Sequence, residues 1–140
     1  MKYRFLDHTA DTMFEAYGNS VEELFENSGL ATEEIMVDIK TLDIDDNYDI
    51  ILTSDSLEEL LYEFLSELIF VKDTEGLLFK KFEVTILHKK KKYELFAKCE
   101  GEKLDREKHE LRDDAKAVTK HEFIVEQRNK TWFANVIVDI

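Results

Sequence analysis

Ser56-Leu-Glu-Glu-Leu-Leu-Tyr-Glu-Phe-Leu-Ser-Glu-Leu-Ile69 is the stretch that decides the fold class. A serine followed three residues later by Glu59 is a capping box, in which the hydroxyl satisfies an orphan N–H of the first helical turn. Leu57, Leu60, Leu61, Phe64, Leu65, Leu68 and Ile69 then recur at steps of three and four, the stripe of a helix with one face in a core. Ser20-Val-Glu-Glu23 repeats the box. Val21, Leu24, Phe25, Leu30, Ala31, Ile35 and Met36 follow it at helical spacing, with Gly29 as a weak point. Two helices are expected.

Outward from these helices the period changes from 3.6 to two. Residues 3–6, 13–17, 48–53, 78–88, 93–100, 115–128 and 131–139 read as strands, and 88–92 and 128–130 as hairpin turns between them. Tyr93, Leu95, Ala97 and Cys99 share one face, with Glu94 and Lys98 on the other. Strands in runs with two inserted helices predict an α+β domain, a mixed or antiparallel sheet with both helices packed on one face. One domain is expected over residues 1–140, since proline is absent and only four glycines occur. Residues 100–114, nearly all polar, read as a surface excursion between strands.

Composition narrows the function. The formal charge is −13, which repels phosphate backbones and anionic membranes, so neither direct nucleic-acid binding nor membrane binding is expected. A cation or a basic protein surface suits it better. A single cysteine, Cys99, permits no internal disulfide and no thiolate zinc cluster, and reads as a core residue. Without a signal-peptide core or a long apolar run, a soluble cytoplasmic protein is expected. The run Lys89–Lys92 reads first as a solvated hairpin turn and second as a contact for an acidic partner or a phosphate.

The two ends of the chain hold the chemistry. Asp7-His8-Thr9-Ala10-Asp11 sets two carboxylates and an imidazole where the chain leaves its first strand, among Phe5, Leu6, Met13 and Phe14. Asp7 or Thr9 could equally serve a turn by hydrogen-bonding its backbone. In the last strand both rows are largely apolar: Trp132, Ala134, Val136 and Val138 on one side, Phe133, Asn135 and Ile137 on the other. Such a strand is covered on both faces. It ends in Asp139 and Ile140, so a side-chain carboxylate and an α-carboxylate stand together, which calls for a cation or donors. If the first and last strands are neighbours, Asp11 meets Asp139 and Ile140 and the three suit a divalent ion with oxygen ligands. A lysine or arginine partner for the same carboxylates is the alternative.

Taken together, the motifs resemble the archease family. The resemblance rests on Asp7-His-Thr-Ala-Asp11, Ala16-Tyr-Gly18, Ser20-x-x-Glu23-x-Phe25 and Glu59-Leu-Leu-Tyr-Glu-Phe-Leu. It extends through Glu75-Gly-Leu, Gly101-Glu-x-Leu-Asp105, Lys108-His-Glu110 and the final Asp139-Ile140, essentially the whole chain. The resemblance implies a non-enzymatic cofactor of tRNA splicing. Such a protein activates the RtcB-type RNA ligase by promoting its guanylylation and multiple turnover, and broadens its nucleotide use. It further implies that Asp11, Asp139 and Ile140 are metal ligands for calcium; Asp7 and His8, close to these ligands in sequence, are read as shaping the pocket. One position departs: Lys116-Ala-Val-Thr-Lys120-His121 carries Lys120 where the family commonly has tyrosine.

Two other readings compete. A divalent-metal hydrolase would use the Asp11 and Asp139 carboxylates with His8 or His121 as general base. Against it, no glycine-rich phosphate loop, GxSxG or HExxH occurs. A general chaperone or adaptor would be indifferent to Asp11 and to the last residues.

Overall fold

The computed structural model describes residues 1–6 and 11–140. In chain order they form β1 (Tyr3–Leu6), β2 (Asp11–Gly18), α1 (Val21–Met36), a 3-10 turn (Ile39–Thr41), β3 (Asp46–Ser54) and α2 (Leu57–Glu75). β4 (Leu77–Lys89), β5 (Lys92–Lys103), β6 (Ala117–Val118), β7 (Ile124–Arg128) and β8 (Thr131–Asp139) follow. Both helices start where the capping boxes put them. The Ser20 and Ser56 hydroxyls accept from the N–H groups of Glu23 and Glu59, each at 3.1 Å. Each cap stabilises its helix by about 1 kcal/mol.

The α+β class holds, with two antiparallel sheets where one was expected. The first runs β1-β2-β8, and β6 and β7 both pair with the far edge of β8; the second runs β3-β5-β4. The helices lie between the sheets. α1 touches β1, β2 and β8 on one side and β4 on the other, while α2 bridges β3–β5 and β6–β7. Phe14, Phe25, Phe64 and Phe79 are fully buried in this layer. Phe64 stands 6.1 Å from Phe25 and 5.8 Å from Phe82. Gly29 lets α1 pack tightly on β4, because a Cβ there would lie 2.9 Å from the Phe82 ring.

Two expectations need correction. Residues 115–128 are not one strand. β6 and β7 lie along the same edge of β8 in registers offset by three residues, and the insert between them turns at Glu122, with φ of 53°. The excursion at 100–114 begins later than read, since β5 continues to Lys103. Its far end is no free loop. The N–H groups of Arg112 and Asp113 donate to Met36 and Ile35 O at 2.9 and 3.0 Å, satisfying carbonyls that the end of α1 leaves open.

The β4–β5 hairpin closes in a two-residue loop, Lys90-Lys91, between the paired Lys89 and Lys92. Both loop residues have positive φ, 49° and 66°, the geometry of a type I′ turn that asparagine and glycine fill without strain. Replacing Lys90-Lys91 by Asn-Gly should raise stability by about 1–2 kcal/mol, read as a higher urea midpoint with unchanged slope. An unchanged midpoint would show that the lysines bear no backbone strain.

Candidate functional site

β2 and β8 are the central strands of the first sheet, and their pairing runs unbroken from Gly18↔Trp132 to Asp11↔Asp139. Phe14, Ala16 and Gly18 of β2 are buried, and every residue of β8 from Phe133 to Val138 is buried on one face or the other. The two-sided cover expected of the last strand is therefore present. Its consequence is positional: a strand packed on both faces cannot slip, so Asp11 and Asp139 are held opposite each other. The neighbour of β8 is β2, not the first strand, which lies one strand further out.

The Asp139 carboxyl is held above the ordinary aspartate range, first by a side-chain hydrogen bond with Asp11, then by loss of water and by the negative charge of Asp11. Lys116 acts in the opposite sense. Two carboxyl groups in hydrogen-bond contact need a proton between them or a cation in its place. β6 closes the third side: Ala117 is opposite Asp139, and the N–H groups of Lys116 and Thr119 donate to Asp139 O and Ile137 O at 2.8 and 3.0 Å. Asp139 is half-buried and Ile140 exposed, so this end is less enclosed than the apolar rows suggested. Asp7 and His8 lie outside the described residues. Among the described residues no group of three or more His, Cys, Asp or Glu side chains is placed to hold a metal.

Lys120, the residue that departs from the family pattern, reaches Glu59 Oε2 at 3.1 Å with its Nζ 4.7 Å from the Tyr62 ring centroid. It fixes the β6–β7 insert to the first turn of α2. His121 is exposed, with Glu122 Oε1 3.8 Å from its Nε2. Cys99 is fully buried and its thiol is pushed up to about 12, mainly by burial, so it is an inert core residue.

A second polar cluster escaped the sequence because its members all look like surface residues. His109, inside the supposed excursion, is buried. Its Nδ1 accepts from the N–H of Asp105 at 2.9 Å, so Nε2 carries the proton and donates to Glu102 Oε1 at 2.6 Å. Glu102 also accepts from the N–H of Asp43 at 2.9 Å and from Lys108 Nζ at 2.9 Å. These bonds, the Asp43 N–H first and then His109, pull its carboxyl down to about 2. Both ring nitrogens of His109 are engaged within the protein, so the cluster ties a loop to β5 and offers no general base. The available signal was the spacing of Gly101-Glu-x-Leu-Asp105 and Lys108-His-Glu110.

Residues 3–140 match the model of the Archease protein family. Protein archease of Pyrococcus abyssi is 39% identical over 140 residues, covering 99% of both chains. Protein archease of Pyrococcus furiosus is 40% identical over 135 residues, covering 96% of this chain and 95% of its own. Among solved structures, protein 1598 of Methanobacterium thermoautotrophicum superposes with a TM-score of 0.88 at 39% identity, covering 99% of this chain and 98% of its own. An archease of Thermotoga maritima, described as a possible chaperone, shares the fold at a TM-score of 0.60 and 19% identity, covering 96% and 94%. No helix of the described residues is long and apolar enough to cross a membrane. The chain belongs to the archease family.

Proposed function

We propose that this protein is a non-enzymatic activator of the RtcB-type tRNA-splicing RNA ligase, acting in the cytoplasm to promote guanylylation and multiple turnover of the ligase. The observation that carries this reading is the Asp11–Asp139 pair, held opposite each other by the two central strands and in hydrogen-bond contact. Family membership supports the partner, and the pair supplies a reason for the motif residues to be what they are.

The donor set suits a hard divalent cation, with calcium as the candidate. Asp11, Asp139 and the Ile140 carboxylate would hold it, all through oxygen. A bound cation would supply positive charge able to attract phosphate oxygens at an otherwise acidic end of the protein. The chain's own contribution is positional: β2 and β8 fix the carboxylates, and the N–H of Lys116, just before β6, covers the Asp139 carbonyl.

The test is multiple-turnover exon ligation with GTP and catalytic amounts of a cognate ligase, with and without this protein. The wild type should raise turnover and the guanylylated fraction of the ligase. Asp11→Ala should fold normally, lose at least about tenfold of the activation, and bind calcium at least about tenfold more weakly by calorimetry. Full activation by Asp11→Ala would remove the carboxylate pair from the function and favour an adaptor. No activation by the wild type would remove the ligase reading.

A further inference from the structure

The second sheet packs one face against the helices and turns the other outward, and its register sets the outer side chains in rows. From the hairpin tip the rows are Leu87–Glu94–Thr53, Thr85–Phe96–Ile51, Glu83–Lys98–Asp49 and Lys81–Glu100–Asn47. The lower two rows nearly balance, two lysines against Glu83, Glu100 and Asp49, with Lys98 3.7 Å from Glu100 and Lys81 4.0 Å from Glu83. The upper two are different. Ile51 is 74% exposed, Leu87 46% and Phe96 45%, and together with Thr53, Thr85 and Glu94 they line one shallow pocket. Three exposed apolar side chains sharing a depression form one contiguous patch rather than scattered surface hydrophobics.

Above the patch stands the lysine tip. Lys92 pairs with Asp55 at 2.9 Å, whereas Lys89, Lys90 and Lys91 have no carboxylate partner among the described residues. Residues 80–98 hold seven lysines against Glu83 and Glu94, inside a chain of formal charge −13. The cations are therefore concentrated on one hairpin.

We propose that this face is a protein-docking surface, separate from the carboxylate pair, whose occupant is a partner segment with an apolar stripe ending in a cluster of carboxylates. The stripe would cover Ile51, Phe96 and Leu87, and the carboxylates would meet Lys89, Lys90 and Lys91. Other occupants fit less well. On the outer face nucleic acid would find one exposed ring, Phe96, the exposed His88 being taken up in a stack on Tyr93 at 4.1 Å, and would meet Glu94, Glu83 and Asp49. An anionic membrane would press the same carboxylates against its headgroups. A second copy placed face to face in antiparallel fashion would set each lysine tip against lower rows with only one carboxylate in excess, a weaker match than a cluster of carboxylates.

The test uses the full chain labelled for amide chemical-shift mapping and needs no ligase, so it stands or fails apart from the proposed function. The probes are a synthetic amphipathic peptide ending in aspartates and glutamates, its counterpart ending in lysines, a single-stranded RNA oligonucleotide and phosphatidylserine vesicles. The acidic-ended peptide should perturb residues 51–53, 85–87 and 94–96 and bind at least about tenfold more tightly than the lysine-ended one. Ile51→Asp, at an exposed position that leaves folding intact, should weaken it about tenfold, and K89E/K90E/K91E should reverse the preference between peptides. The proposal is overturned if both peptides bind equally, if the acidic one does not bind or maps elsewhere, or if Ile51→Asp binds it unchanged. It is likewise overturned if RNA or vesicles are what bind this face, or if sedimentation shows self-association that Ile51→Asp abolishes.

Discussion

Gly101→Ala is expected to lower stability by at least about 3 kcal/mol, and the melting temperature by roughly 10 °C or more. Gly101 lies on β5 opposite Asp46 of β3 and Phe79 of β4, where the β4 register shifts between Phe79 and Lys81. A Cβ on Gly101 would meet Leu78 O at 1.8 Å, Phe79 Cα at 2.7 Å and Leu78 C at 2.8 Å. All three are backbone atoms, so no side chain can swing aside and the strands themselves must separate. Separation would also pull on Glu102, and with it the bonds to Asp43, Lys108 and His109. Gly76→Ala is the matched control. Gly76 caps α2 at φ of 67° and a Cβ added there would meet nothing within 4 Å, so alanine costs only about 1 kcal/mol of left-handed strain. Urea unfolding of the two variants separates steric overlap from conformational strain. Equal losses at the two positions would mean that β4 yields where the geometry says it cannot.

The contrast between local and non-local features explains what the sequence made legible. Helix starts are local: Ser20 and Ser56 bond an N–H three residues on, so the boxes located both ends correctly. Strand partners are not local. Tyr48, Ile50 and Leu52 alternate in the same way whether β3 joins one large sheet or a separate three-stranded one, so the alternation could not divide the sheets. The break between β6 and β7 left no mark, because its turn is made by Glu122 at positive φ rather than by glycine or asparagine. At the candidate site the residue types at both ends were readable, and their meeting at one register position depended on β2, whose placement beside β8 no local pattern encodes. His109 was hidden for a related reason: Glu102, Lys108 and Asp43, its surroundings, are polar residues themselves, so the composition of a buried network equals that of a surface loop.

Glu33→Gln should flatten the pH dependence of stability and leave the variant several kcal/mol more stable than wild type above pH 8. Glu33 sits on α1 with no exposed surface. Its Oε1 accepts from the N–H of Phe79 at 2.9 Å, capping the free edge of β4, and its Oε2 has no hydrogen-bond partner among the described residues. Burial pushes the carboxyl up to about 8, against the smaller opposing effects of the Phe79 N–H and Lys72. In the unfolded chain the same group titrates in the ordinary range near 4.5. Between these values the native state keeps a proton that the unfolded state has released, so stability falls as pH rises from about 4.5 to 8 and is level beyond it. Over that window the loss is on the order of 5 kcal/mol. Glutamine keeps the carbonyl that receives the Phe79 N–H and carries no titratable proton. Glu102 has the opposite slope, since a carboxyl drawn down to about 2 contributes stability above 4.5 that is lost as pH falls toward 2. Wild-type stability should therefore peak near pH 4.5–5, and Glu33→Gln should extend that maximum into the alkaline range. Urea unfolding of both proteins from pH 4 to 9 reads this directly, and parallel curves for wild type and variant would show that Glu33 is not the group that sets the slope.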